Sequence, residues 1–242
     1  MNLVVDAGNS FVKLAIFEKN KLFFDQRIAL SDFCSQIKTV FNDFPTIKHA
    51  IISSVGNLSK QDIAVVSVFC EVYELSAFSK VPFKNKYTTP ETLGVDRIAL
   101  ATAAFYFNPK KNTLVIDAGT CITFDVINKA GIYLGGAISP GISMRYRALN
   151  KQTSKLPLLK KESVLDFIGV SSEACIHSGV VNGVCNEIDG VINQYKERFT
   201  DLTVILTGGD ARFLSNRLKN TIFAHSKFLL EGLNYLLEYN KR

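Results

Sequence analysis

No P-loop GxxxxGK[ST] and no dinucleotide GxGxxG occurs in the 242 residues, which argues against P-loop NTPases and dinucleotide-binding folds. A GxSxG elbow and a cysteine–histidine pair are also missing, so a nucleophilic triad has no support. Histidine is scarce: His49, His177 and His225 lie far apart, which leaves little basis for a histidine metal site. The five cysteines, Cys34, Cys70, Cys121, Cys175 and Cys185, are odd in number and form no CxxC pair, the pattern of scattered reduced thiols in a cytoplasmic protein. No apolar run reaches the length of a membrane span, because acids, lysines or polar residues break each one. Asp6 and Lys13 interrupt the N-terminal apolar stretch, so no signal peptide is expected there. Low-complexity tracts are absent. The chain is 47% hydrophobic, ample for a packed core of one large or two small domains. Its net charge of +6, from 28 basic and 22 acidic residues, is compatible with anionic ligands but is ordinary for a solvated basic surface.

The stretch around which the rest is organised is Leu3 to Phe17, LVVDAGNSFVKLAIF. An apolar run ends in Asp6, a small polar turn follows, and a second apolar run carries Lys13. This predicts a β-hairpin with a glycine-containing tip. Such a tip suits a nucleotide phosphate. Gly8 lets the backbone approach, while turn N–H groups, Asn9 and Ser10 donate to anionic oxygens. Asp6 suits Mg²⁺, directly or through water, and Lys13 reaches phosphate oxygens as a point charge.

The pattern recurs at Thr113 to Val126, TLVIDAGTCITFDV, with Asp117-Ala118-Gly119-Thr120 at the tip. Each copy is followed by a polar turn and a third strand. One DxG is an ordinary hairpin turn more often than a binding site. Two in matching frames predict two similar lobes, 1–108 and 109–242, each offering a phosphate-binding turn to a shared cleft.

The remaining segments supply the frame. Amphipathic spacing predicts a helix over 31–44 with Ser31 as its cap, and another over 59–69, although VVSVF would also suit a strand. Short strands are expected at 49–55 and 71–75. A polar, aromatic connector, 82–90, precedes a helix over 94–107 that opens Gly94-Val95-Asp96-Arg97; an acid in a first turn also serves the helix dipole. Paired glycines at 135–136 mark close backbone approach before a helix over 142–150. The lysine-rich stretch 151–163 reads as an exposed loop; it lacks interleaved aromatics for base stacking, which argues against nucleic acid. A long helix over 171–199 contains Gly179, Gly183 and Gly190, expected to permit close packing. A strand over 202–206 runs into Thr207-Gly208-Gly209-Asp210, a flat backbone surface for a ring or phosphate, followed by helices over 211–218 and 229–239.

Together these features resemble the acetate and sugar kinase, heat-shock ATPase and actin superfamily. Asp6 to Lys13 is similar to its first phosphate motif, Asp117 to Thr120 to its second, and Leu206 to Ala211 to its adenosine motif. The resemblance implies an α/β fold of two ribonuclease-H-like lobes, mixed sheets flanked by helices, in an actin-like ATPase duplication. Within that superfamily the chain resembles type III pantothenate kinase, from DAGNSFVK (Asp6 to Lys13) through GVDR (Gly94 to Arg97), DAGTCITFD (Asp117 to Asp125), GGAISPG (Gly135 to Gly141) and TSKLP (Thr153 to Pro157), in the family's order from residue 2 to about 233.

That resemblance implies ATP-dependent phosphorylation of pantothenate to 4'-phosphopantothenate, the first step of coenzyme A biosynthesis. Asp6, Ala7, Gly8, Asn9, Ser10, Phe11, Val12 and Lys13 would bind ATP phosphates, with Asp6 also at Mg²⁺. Thr120 would contact ATP, and Asp117 would hold a monovalent cation, potassium or ammonium. Tyr87, Gly94, Val95, Asp96 and Arg97 would bind pantothenate, with Asp96 as proton acceptor. Ser172 stands where the family has a substrate-contacting threonine; it keeps the hydroxyl and loses the methyl. The resemblance further implies a cytoplasmic homodimer whose substrate pocket is completed by the second chain, with no membrane and no nucleic-acid role. The competing expectations are another small-molecule kinase of the superfamily, such as a sugar kinase, and a non-enzymatic ATP-binding factor accessory to transcription.

Overall fold

The structure, a computed structural model, describes residues 1–8, 11–54, 58–164 and 166–241. The chain forms two compact units. The first comprises Met1–Pro109, Gly131–Tyr133 and Lys227–Arg242, and the second comprises Lys110–Ala130 and Leu134–Ser226.

In the first unit, the two apolar runs around Asp6 form β1 (Asn2–Ala7) and β2 (Val12–Glu18), and β3 (Lys21–Ile28) completes a meander. The turn into β3 places Lys19 at φ +54, a left-handed position tolerated in this polar corner. Next come α1 (Phe33–Asp43), β4 (His49–Ser54), α2 (Lys60–Ser67), β5 (Glu71–Glu74), the two-residue β6 (Lys84–Asn85) and α3 (Val95–Phe107). The strands order as β3-β2-β1-β4-β5, antiparallel across β1–β3 and parallel from β1 to β5 through β4. Every residue of β1 is buried, as expected for a central strand covered on both faces. On one face Leu3, Val5, Leu14 and Ile16 pack with Phe33 and Ile37 of α1.

The second unit begins with β7 (Asn112–Ala118), β8 (Cys121–Ile127) and β9 (Ile132–Pro140). It continues with α4 (Ile142–Gln152), α5 (Ser172–Arg198), β10 (Leu202–Thr207), α6 (Ala211–Ser215) and β11 (Phe223–Ala224). Its strands order as β9-β8-β7-β10-β11, the order of the first sheet strand for strand, with β6 added beside Ile132 and Tyr133 of β9. The last helix, α7 (Phe228–Asn240), belongs to the first unit and packs on α3. The crossing is close: a Cβ at Gly232 would lie 2.0 Å from the Ala99 carbonyl oxygen, so only glycine fits there. Beside it, Asn2 Nδ2 donates to Asn234 Oδ1 at 2.8 Å and to Glu238 Oε1 at 2.6 Å, tying α7 to β1.

Several expectations change at their edges. The expected cap Ser31 is not used; a 3₁₀ turn over Leu30–Asp32 comes first and α1 starts at Phe33 without a side-chain cap. The ambiguous VVSVF segment is helical through Ser67, since Ser59 and Asp62 form a reciprocal capping box that commits the chain to α2. Helix α6 stops at Ser215. The buried Asp189 carboxylate draws the Lys219 and Asn220 amides to itself at 2.9 and 3.0 Å and so takes the chain out of helical geometry. Burial would raise the Asp189 carboxyl, but these donors outweigh it and hold it below the usual carboxylate range. Within the chain, and among the described residues, nothing packs at Gly179, Gly183 or Gly190: a Cβ at each would meet open space. Among the described residues, no helix is long and apolar enough to cross a membrane.

Candidate active site

In the first hairpin Asp6 stands opposite Lys13, and directly opposed residues present their side chains on one face. Lys13 Nζ lies 3.1 Å from Asp6 Oδ2. The turn is closed by the Gly8 N–H donating to the Phe11 carbonyl at 3.1 Å. Asn9 and Ser10, both expected to bind phosphate, fall outside the described residues. Ala7 and Val12 are buried beneath the tip, so they offer backbone to a ligand, while Phe11 is 42% exposed. A Cβ at Gly8 would touch the Phe11 carbonyl oxygen at 3.6 Å, an ordinary contact. Among the described residues nothing lies closer, and a glycine there suits close approach of another molecule.

Burial pushes the Asp6 carboxyl up, Lys13 pulls it partly back, and the Asp96 charge raises it again. The phosphate motif and the GVDR motif thus act on one another within a single unit. Asp96 lies in the first turn of α3, where its Oδ1 accepts the Arg97 N–H at 2.8 Å. A Cβ at Gly94 would come within 2.5 Å of that same Oδ1, so Gly94 leaves the room that the carboxylate occupies. Arg97 is buried, its guanidinium 5.5 Å from the centre of the Tyr87 ring, and Tyr87 lies against the fully buried Tyr133. Val95, Asp96 and Tyr87 are half-buried. Six residues, among them the 3₁₀ turn Pro90–Thr92, separate Tyr87 from Gly94 in sequence, yet the structure brings the ring and Arg97 together.

The second hairpin has a tighter tip. Ala118 pairs with Ile122, leaving a three-residue turn, against the four between Ala7 and Val12. The Gly119 N–H donates to the Cys121 carbonyl at 2.9 Å, and Thr120 is exposed at the tip. Asp117 has threonines on both sides in the sheet, Thr123 on β8 and Thr207 on β10. Both are buried, and the Thr123 hydroxyl has no hydrogen-bond partner among the described residues. Behind the tip the glycine turn fits closely. Gly208 has φ +96, and a Cβ there would lie 2.3 Å from Asp117 Oδ1 and 2.4 Å from the Ala118 carbonyl oxygen. The Asp210 N–H donates to that same Ala118 carbonyl at 2.9 Å. Lys161, from the lysine-rich loop, pairs with the Asp210 carboxylate and so ties the loop to the glycine turn. In this unit, then, Asp117 and the adenosine-type turn are brought together.

Ser172, the first residue of α5, is exposed and lines an open pocket of about 1070 Å³ with Arg145, Leu156, Cys175 and Ile176. Neither Asp117 nor Thr120 lines it, so this pocket and the hairpin tip are separate features of the second unit. Sequence reasoning missed Ser53, opposite Asp6 on β4, and it quoted Thr123 and Thr207 within motifs without placing them on either side of Asp117. The cross-hairpin one was within reach, since a three-residue turn places Thr123 opposite Asp117 by counting.

Comparison with known proteins gives the same reading over the whole chain. The sequence profile of the type III pantothenate kinase family matches residues 2–194. The type III pantothenate kinase of Christiangramia forsetii is 47% identical over 241 residues, 100% of this chain and 99% of that protein. That of Flavobacterium johnsoniae is 45% identical over 239 residues, 99% and 98% of the two. Among solved structures, a Campylobacter jejuni protein assigned to the Baf family of transcriptional activators is similar at TM-score 0.64 and 22% identity, covering 98% of each chain. A glucokinase from an Antarctic psychrotroph is similar at TM-score 0.54 and 13% identity, covering 99% of each. These structural likenesses carry the fold alone: the two-lobe architecture of actin-like ATPases and sugar kinases. Motif order, duplicated sheets and full-length identity converge, and the chain belongs to the type III pantothenate kinase family.

Proposed function

We infer that the chain transfers the γ-phosphoryl group of ATP to the primary hydroxyl of pantothenate, giving 4'-phosphopantothenate for coenzyme A biosynthesis. The observation that carries this reading is the cluster Asp6–Lys13–Asp96, where a phosphate-type hairpin tip and the GVDR turn share one electrostatic neighbourhood. Phosphoryl transfer depends on alignment and charge stabilisation more than on covalent work by the protein. Backbone N–H groups at the tip and Lys13 bind the phosphates. A buried carboxylate at a hairpin end fits Mg²⁺, which takes one or two carboxylates and keeps several waters, so Asp6 holds it directly or through water. When bound there, the ion would neutralise charge on the phosphate oxygens. Asp96 accepts the hydroxyl proton and, before that, holds the hydroxyl in line. Tyr87, Gly94, Val95 and Arg97 bind pantothenate, Arg97 by pairing with its carboxylate.

Thr120 contacts ATP, and Asp117 holds potassium or ammonium. An acid flanked by buried threonine hydroxyls and backbone carbonyls is a hard-oxygen donor set, which fits such a cation. Ser172 supplies a substrate contact, and the chain works as a cytoplasmic homodimer whose second copy completes the substrate pocket. The test is ADP release with pantothenate, ATP, Mg²⁺ and potassium. Robust turnover that falls when sodium replaces potassium is expected. Turnover on glucose or acetate but not pantothenate would overturn the substrate, and no turnover at all would overturn the kinase.

A further inference from the structure

The paired register of β1, β2 and β3 sets Asp6, Lys13 and Arg27 side by side in one row across three strands, all on one face. Ser53 extends the row on the other side of Asp6. Arg27 is exposed at the end of the edge strand, and its guanidinium carbon lies 3.6 Å from the centre of the Phe11 ring. Phe11 itself forms the rim of the hairpin tip, the residue whose carbonyl accepts the Gly8 N–H. The row therefore ends at the tip in a cation stacked on an aromatic.

Two features make the arrangement more than edge decoration. Lys13 and Arg27 are like charges directly opposite each other, a placement that costs stability in a sheet. Within the row only Asp6 balances them, and its carboxylate is 3.1 Å from Lys13. A row of two cations and one acid at a glycine tip is short of negative charge, and a polyanion supplies it. Arginine also differs from lysine in kind, because its planar fork grips two phosphate oxygens at once whereas Lys13 acts as a point charge.

We propose that Arg27 is an additional triphosphate-binding residue, carried on β3, which with Lys13 grips the phosphate chain of ATP at the tip of the first hairpin. In the ligand-free chain Phe11 parks the guanidinium beside the tip. On binding, the guanidinium meets phosphate oxygens and relieves its repulsion with Lys13. This rests on the reading of that hairpin as the ATP phosphate site.

The test compares Arg27→Ala, Arg27→Lys and Phe11→Leu with the unaltered chain. Two readouts are used: steady-state kinetics for each substrate, and calorimetric binding of inorganic tripolyphosphate without turnover. For Arg27→Ala, the KM for ATP should rise about tenfold and tripolyphosphate should bind about tenfold more weakly. The KM for pantothenate and the melting temperature should hold steady. Arg27→Lys should recover part of the loss, and Phe11→Leu should weaken tripolyphosphate only two- to threefold. Unchanged tripolyphosphate affinity in Arg27→Ala would overturn the proposal and leave Arg27 as a solubilising charge on an edge strand. So would an equal rise in both KM values. A Lys13→Ala chain that keeps normal ATP and tripolyphosphate affinity would instead overturn the placement of the phosphates at this hairpin.

Discussion

The two hairpins share a frame and differ in what stands beside the acid. Asp6 lies between Lys13 on one side and Ser53 on the other; Asp117 lies between Thr123 and Thr207. One is an acid with a cation and a hydroxyl, the other an acid with two hydroxyls. Both sheets place a carboxylate near the end of the central strand, and the neighbouring strands set different residues beside it. With an ammonium across the hairpin, the first row suits phosphate and Mg²⁺. With two hydroxyls, the second suits a bare monovalent cation. On the proposed assignment, a difference invisible in strand order would decide which ligand each copy takes.

The strongest break to attempt is at Asp96, whose charge reaches the first row. Asp96→Asn should lower kcat on the order of a thousandfold, the range for losing a positioned base, while calorimetric ATP affinity stays within about twofold. Near-normal turnover would remove Asp96 from its role. Next, Lys13→Thr makes the first row resemble the second. Losing a charge-assisted hydrogen bond predicts a rise of roughly 10- to 100-fold in the KM for ATP. In the other row, Asp117→Asn should abolish the preference for potassium over sodium in the ADP-release assay, and retained selectivity would move the cation elsewhere.

The glycines sharpen the contrast further. Gly208→Ala strains a left-handed backbone and drives a Cβ into Asp117, so denaturant unfolding should show a loss of about 1–3 kcal/mol. Among the described residues Gly8→Ala meets an ordinary contact, so its stability should change by less than about 0.5 kcal/mol. Its ATP affinity should nevertheless fall, since the added methyl occupies the approach to the tip. Equal stability losses in the two variants would contradict the distinction.

The smallest expected effect concerns pH. Burial, with Asp96 adding to it and Lys13 opposing, leaves the Asp6 carboxyl above its usual range in the folded chain. The folded state then binds the proton more readily than the unfolded one. Asp6 therefore favours folding at low pH, and that contribution is lost as pH climbs through the raised value. Asp6→Asn should melt slightly higher than the unaltered chain at pH 8, with the gap closing toward pH of about 4. It should also fail to turn over. A lower melting temperature at pH 8 would show that the ion pair with Lys13 outweighs burial.

Much of this was legible in the residues. Apolar runs ended by DAG twice, at Asp6 and Asp117, gave both hairpins and the duplication, and GG after an apolar strand marked the turn at Gly208. What escaped depended on partners far away in sequence. Helix α6 is cut short by Asp189, and β6 exists only because Ile132 and Tyr133 lie beside it. The glycines of α5 suggested tight packing, yet a close helix crossing is made instead at Gly232 of α7, against Ala99. Helical spacing reveals a small residue but not the neighbour it meets. For the same reason Arg27 drew no attention until the strand register put it beside Lys13.

Helix α7 seats its glycine on α3 and its asparagine on β1, although more than a hundred residues of the second unit intervene. On the ribosome, the opening hairpin thus emerges long before the segment that will cover it. The first sheet must wait, with one face uncovered, until synthesis has passed the second unit and reached Phe228–Asn240.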